Sequence, residues 1–152
     1  MKRITVVGTG FGGLTAVSML RKLEPSAGIT VIGKQPEFFY YPSLIWIPSG
    51  KGGLLAADAH CRVPGQERVY VAGDAGSFPG PEWQPKQAHM ADLQAVAAAK
   101  NLVHELNGRK PVEGFKVELA CIIDSLDAGT LVTRSNTGTL LLPATRLLHW
   151  SK

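Results

Sequence analysis

The first fourteen residues, MKRITVVGTGFGGL, restrict what this chain can fold into more than any other stretch. Ile4, Val6 and Val7 make a short apolar run rich in β-branched side chains, which suits a buried strand. Gly8, Gly10 and Gly13 follow at the spacing G-x-G-x-x-G, and a helical pattern begins directly after them. In such a strand–turn–helix the first glycine permits the tight turn and the second lets a pyrophosphate reach the backbone. The third lets helix and strand pack closely. The helix N-terminus contributes unpaired N–H groups and a partial positive charge. A glycine triplet alone is a weak signal. Between a strand and a helix it predicts a dinucleotide-binding turn, with Phe11 and Gly12 carried inside it. The competing reading is a tight turn with no ligand.

Leu14, Val17, Leu20 and Leu23 recur at helical spacing, with Arg21, Lys22 and Glu24 on the wetter side, and Pro25 and Ser26 end the pattern. Ile29 to Ile32 is a second β-branched run, so residues 2–33 predict one βαβ unit with a parallel strand pair. The end of that second strand usually carries an acid for a ribose hydroxyl. Gly33 stands there instead, followed by Lys34, and Glu37 is the nearest acid beyond them. Between prolines, Phe38, Phe39, Tyr40, Tyr41 and Trp46 read either as a loop packing its own small core or as a wall for a large planar ligand. Gly50, Lys51, Gly52 and Gly53 resemble a flexible join.

Val69 to Ala72 predicts a short strand running into Gly73-Asp74-Ala75-Gly76. A long helical pattern then extends from Pro85 to Asn107-Gly108, with proline in the first turn and glycine just past the end. Ala88, Ala91, Ala95, Ala99, Leu102 and Leu106 line one face, small enough to lie close against a strand or a ligand. Phe115 to Ile123 and Thr130 to Thr133 read as a hairpin about Asp127-Ala128-Gly129, and Leu140 to Leu142 as a third strand. The expected fold class is α/β, a Rossmann-like domain with a parallel sheet and a C-terminal antiparallel hairpin or meander.

Composition narrows the function. The 152 residues fit one domain, and a net charge of +4 favours anionic ligands. Lys and Arg are scattered, so nothing points to nucleic acid. Cys61 and Cys121 form neither a disulfide framework nor a metal-ligand spacing, and no metal site is expected; a bridge between the two is conceivable but not placed by sequence. No apolar run reaches the ~18 residues of a spanning helix, and no secretory signal is visible, so a cytoplasmic location is the default.

Two separated stretches, GTGFGG at 8–13 and VYVAGDAGSF at 69–78, resemble the FAD-binding signatures of the pyridine nucleotide–disulfide oxidoreductase superfamily. YYPSLIW, PKQAHM and ELACIIDSLDAG are similar to segments of its sulfide:quinone oxidoreductase branch, to which flavocytochrome c sulfide dehydrogenases and type II NADH dehydrogenases are related. LLHWSK resembles the stretch before that branch's C-terminal membrane-binding helices. The resemblance implies FAD as cofactor, with Asp74 on the flavin's ribityl chain. Gly8, Gly10, Phe11, Gly12, Gly13, Gly33, Lys34, Pro42, Gly73, Lys86 and Gln87 would complete the binding set. It further implies that Cys121 holds the place of a redox cysteine beside the flavin, and that Lys86 stabilises charge on the reduced ring. Electrons would pass from a small sulfur substrate to quinone.

The resemblance falls in two blocks, 1–50 and 54–152, joined near 50–53 into one FAD-binding domain. The family's central nucleotide-binding-like domain, with its second redox cysteine, and its membrane helices have no counterpart. The chain therefore reads as a shortened form whose inner face invites homo-oligomers and whose missing tail would serve a membrane surface. A non-catalytic FAD-binding or electron-transfer module and a type II NADH dehydrogenase-like flavoprotein remain the alternatives.

Overall fold

Strand β1 (Arg3–Val7) alternates as its sequence requires, turning Ile4 and Val6 inward and Arg3, Thr5 and Val7 outward. It pairs in parallel with β2 (Gly28–Ile32), Ile4 beside Ile29 and Val7 beside Ile32. Parallel neighbours need a crossover, and helix α1 (Phe11–Leu23) supplies it. The computed structural model describes residues 2–34, 54–125 and 127–150. Glu37, the aromatic run Phe38–Trp46 with Pro42, and the join at Gly50–Gly53 lie outside the described residues.

Contacts divide the chain into two compact units. The first draws on Met1–Pro79 and Lys86–Phe115. Its core sets Ile4, Leu20 and Ala27 against Ala99 and Val103 of the long helix α2 (Ala88–Leu106). The alanines of α2 let α1 lie close against it, so the stripe of small residues meets a helix where a strand or a ligand is the expectation. At the C-terminal end of both helices Lys2 ties the layers together, its Nζ 2.7 Å from Glu24 and 2.6 Å from Asn107. A second cluster packs Tyr70, Phe78 and Phe115 on Ala97, Ala98 and the fully buried Cys61. Asn101, also fully buried, accepts from the Val112 and Glu113 amides and donates to the His60 and Glu113 carbonyls, which fastens the chain after α2.

Three expectations need correction, the first being the hairpin: its first strand is Leu119–Ser125 rather than Phe115 to Ile123, and Ala128 and Gly129 lie in its second strand rather than in the turn. Val69 to Ala72 forms no strand; Tyr70 makes only an isolated antiparallel bridge to Arg62. The ladder forms after the turn instead, where β3 (Leu55–Ala56) runs parallel to β4 (Gly76–Ser77). Helix α2 begins at Ala88 rather than Pro85, because Gln87 keeps an extended backbone with φ −140° and ψ 156°.

The second unit draws on Gly80–Pro85 and Lys116–Lys152. Its antiparallel meander has the order β5 (Leu119–Ser125), β6 (Ala128–Ser135), β7 (Gly138–Leu141). The short helix α3 (Arg146–Trp150) closes down on Gly129, where a Cβ would come within 2.8 Å of the His149 amide nitrogen. Arg134 stacks on Trp83, 4.6 Å from the ring centroid. The fold class is thus the expected one, α/β with parallel strand pairs and a C-terminal antiparallel sheet of three strands. Among the described residues no helix is long and apolar enough to cross a membrane, and no group of His, Cys, Asp or Glu could hold a metal ion.

Candidate functional site

The turn after β1 is built from backbone, and each glycine can be tested by the side chain it lacks. Gly8 has φ +105°, a conformation that side chains disfavour, and its N–H donates to the Ile32 carbonyl at 2.7 Å. Gly13 lies so close behind it that a Cβ would run into the Gly8 carbonyl oxygen. Gly10 is different. It occupies the N-cap of α1 with ordinary extended backbone, φ −76° and ψ −175°, and a Cβ there would have no described residue within 4 Å. Among the described residues no side chain caps α1, and no acid lies in its first turn. The dipole of the helix end favours an anionic group there.

Phe11 opens α1, and Gly12 brings the first turn of α1 against the rest of the unit. A Cβ on Gly12 would lie 3.5 Å from the Ala91 carbonyl oxygen and 3.6 Å from the Ala72 side chain. Thr15 Oγ1 donates to Asp92 Oδ1 at 2.6 Å, so the first turns of α1 and α2 are joined by a hydrogen bond as well as by contact. The Gly73–Ala75 segment, a single 3₁₀ turn, sits on the same part of α2. Gly73 has φ +73°, a Cβ there would meet Ala91 Cβ at 3.3 Å, and its N–H donates to Gln94 Oε1 at 2.8 Å. Asp74 follows, exposed.

Lys86 and Gln87 complete this end of the unit. The exposed Lys86 reaches the Asp74 carbonyl oxygen, Nζ to O 3.4 Å. Gln87 is the N-cap of α2, with no side-chain cap bond, and its Oε1 is buried without a hydrogen-bond partner among the described residues. Gly33 and Lys34 leave β2 exposed, next to Gly8 through the Ile32 carbonyl. The first unit thus brings together Gly8, Gly10, Phe11, Gly12, Gly13, Gly33, Lys34, Gly73, Asp74, Lys86 and Gln87 at the carboxyl end of the parallel pair, where open α/β sheets bind ligands.

The chemistry of this surface is legible from its parts. Two helix N-termini and an ammonium group favour negative charge, a glycine at the N-cap of α1 lets a phosphate approach the backbone, and an exposed carboxylate accepts from hydroxyls. The buried Gln87 oxygen still calls for a donor. These features fit a nucleotide with a pyrophosphate and a polyhydroxyl chain.

Cys121 belongs to the second unit, half-buried on β5 opposite Val132. Both cysteines are free thiols. Burial, with a smaller contribution from Asp58, pushes the Cys61 thiol up to about 12, so it stays protonated and inert at neutral pH. Two partners of the site escape the sequence reading. Gln94 left one trace there, a polar residue between Ala91 and Ala95 on the small-residue face, whereas the Thr15–Asp92 bond left none.

No protein-family model matches the chain. Over 41 residues it is 44% identical to a sulfide dehydrogenase (flavocytochrome c) flavoprotein chain from Chlorobaculum thiosulfatiphilum, a match spanning 27% of this chain and 85% of that sequence.

Proposed function

Because the chain belongs to the family of flavoprotein oxidoreductases that includes this sulfide dehydrogenase chain, we propose that it holds FAD. Electrons would enter from a reduced sulfur compound through Cys121 and leave to a quinone. One observation supports the cofactor reading: the start of α1, with glycine at its N-cap Gly10, packs through Gly12 against the elements that present Gly73, Asp74 and Lys86.

Each residue has a task that follows from its chemistry. Gly10 and the α1 amides hold the pyrophosphate, while Gly8 and Gly13 give the turn its shape. The Asp74 carboxylate accepts a hydrogen bond from a hydroxyl of the ribityl chain. Lys86 and the N-terminus of α2 favour extra negative charge on the ring system. The Gln87 Oε1 accepts the donor that its burial requires. FAD, when bound, supplies the two-electron chemistry that amino-acid side chains lack. Cys121, as a thiolate, would be the nucleophile, with the oxidised flavin of the bound cofactor as the electrophile that takes up the electron pair. Gly33 offers no carboxylate to the ribose, so the adenosine end is held less firmly than the pyrophosphate.

Anaerobic mixing of the FAD-loaded protein with sulfide tests this reading. The flavin absorption is expected to bleach in the parent protein and to persist in Cys121→Ser. Equal bleaching in both would remove Cys121 from the electron path. Bound flavin that stays oxidised in both would overturn the sulfur reading and leave an electron-transfer module.

A further inference from the structure

We infer that Gln94 is the positioning residue of the Asp74 turn and so sets the grip of the site on the hydroxyl-bearing chain of the cofactor. The inference rests on the FAD reading above and adds to it a residue that never touches the ligand.

Gln94 is 3% exposed on α2, and its Oε1 accepts the Gly73 N–H at 2.8 Å. Gly73 directly precedes Asp74, and its φ of +73° is a conformation that most side chains avoid. Ala91, one helical turn before Gln94, fills the space where a side chain on Gly73 would go. The turn is therefore pressed on α2 at one point and hydrogen-bonded to it at another. Those two constraints fix the Ala72–Gly73 peptide and the position of Gly73, and so the entry to the turn that carries Asp74. Burying an amide side chain is costly unless it is satisfied. Asn101, the other buried polar residue of α2, bonds to residues 60, 112 and 113 and holds the scaffold together. The bond from Gln94 goes to the turn that carries Asp74.

Two ligands and four variants separate positioning from mere structure. FAD reaches Asp74, whereas ADP ends at the pyrophosphate and samples only the glycine turn. Gln94→Met keeps length and volume but removes the acceptor, and Gln94→Glu restores an acceptor oxygen at the same reach. Tyr70→Phe is the control: it deletes a hydrogen bond from Tyr70 to Glu105 elsewhere on α2. Gln94→Met should raise the FAD dissociation constant about tenfold, the scale of one buried acceptor lost, and leave that for ADP unchanged. Gln94→Glu should recover most of the loss, and Tyr70→Phe should move neither constant. In an Asp74→Ala background, Gln94→Met should cost FAD nothing further.

Equal weakening of FAD and ADP, or full additivity with Asp74→Ala, would overturn the positioning role. If Gln94→Met does not fold, Gln94→Leu, which also lacks the acceptor, decides: weaker FAD binding with ADP unchanged supports the role, and no loss, or a loss shared by ADP, opposes it. A parent protein that binds ADP but not FAD would sink the FAD reading itself, whereas tight FAD binding indifferent to Gln94 would sink only this inference.

Discussion

Gly10→Ala places a methyl group at the start of α1, and the structure allows its two effects to be weighed separately. On the folded protein alone the effect is small. No described residue lies within 4 Å of the new Cβ, and φ −76° with ψ −175° suits alanine. Alanine is a poorer N-cap than glycine, at a cost of up to about 1 kcal/mol, and the stiffer unfolded chain returns about 0.4–1 kcal/mol. The melting temperature should therefore stay within about 2 °C of the parent. In the proposed binding mode a pyrophosphate would meet the methyl directly. Overpacking of about 1–3 kcal/mol corresponds to roughly a 5- to 150-fold weaker dissociation constant.

Gly13→Ala makes the opposite case. Its Cβ would collide with the Gly8 carbonyl, a backbone atom whose residue is tied to Ile32 at 2.7 Å. The gain in helix propensity, about 1 kcal/mol, does not offset a forced backbone shift, and a net loss of about 1–3 kcal/mol is expected. Thermal unfolding combined with titration of FAD by flavin fluorescence reads both numbers. A Gly10→Ala protein that binds FAD as tightly as the parent would show that the pyrophosphate does not lie on this turn. A Gly13→Ala protein of unchanged stability would contradict the packing argument.

Three further outcomes are expected. A thiol reagent at mildly alkaline pH should label Cys121 in the native protein and reach Cys61 only after unfolding, because Cys61 is fully buried and its thiol is held protonated; rapid labelling of both would refute this. Hydrogen bonds from Lys2 first, then Asn107, hold the Glu24 carboxyl below its ordinary 4.5. A depressed folded value means that this contribution is complete above about 4.5 and fades as the pH falls through the lower folded value. Acid titration of stability should thus be flatter for Glu24→Gln, and parallel curves would contradict the linkage. Gly33→Glu restores a carboxylate at the exposed end of β2 and should tighten FAD; unchanged or weaker affinity would argue against placing the ribose there.

The parts of the fold that were legible in the sequence are those fixed by local constraints. β1, the glycine turn, α1 and β2 emerge at once, since Gly8 at φ +105° and the parallel register are consequences of a contiguous thirty-residue pattern. The meander is equally local, because the turn near Asp127 and the Asn136–Gly138 turn mark its reversals. The misreadings concern long-range pairing. The apolar run Val69–Ala72 looks like a strand, yet it finds only one bridge, while Gly76–Ser77, with little strand propensity, pairs with Leu55–Ala56. Tertiary context decides such cases.

The candidate site divides in the same way. Its glycines and Asp74 carry recognisable spacing, whereas the bonds that hold them in place, Gln94 to Gly73 and Thr15 to Asp92, join residues 21 and 77 positions apart. The extended backbone at Gln87 hid the true start of α2. It also places Lys86 in the segment ahead of the helix, from which it reaches the Asp74 carbonyl.

The most direct test is to incubate the purified protein with excess FAD, remove free cofactor by gel filtration, and record the visible spectrum of the protein peak. Retained oxidised-flavin absorption near one FAD per chain, reduced in Gly10→Ala at unchanged folding, is the expected result. A colourless peak, or flavin retained equally by the parent and Gly10→Ala, would contradict the assignment of this glycine turn as the seat of the cofactor.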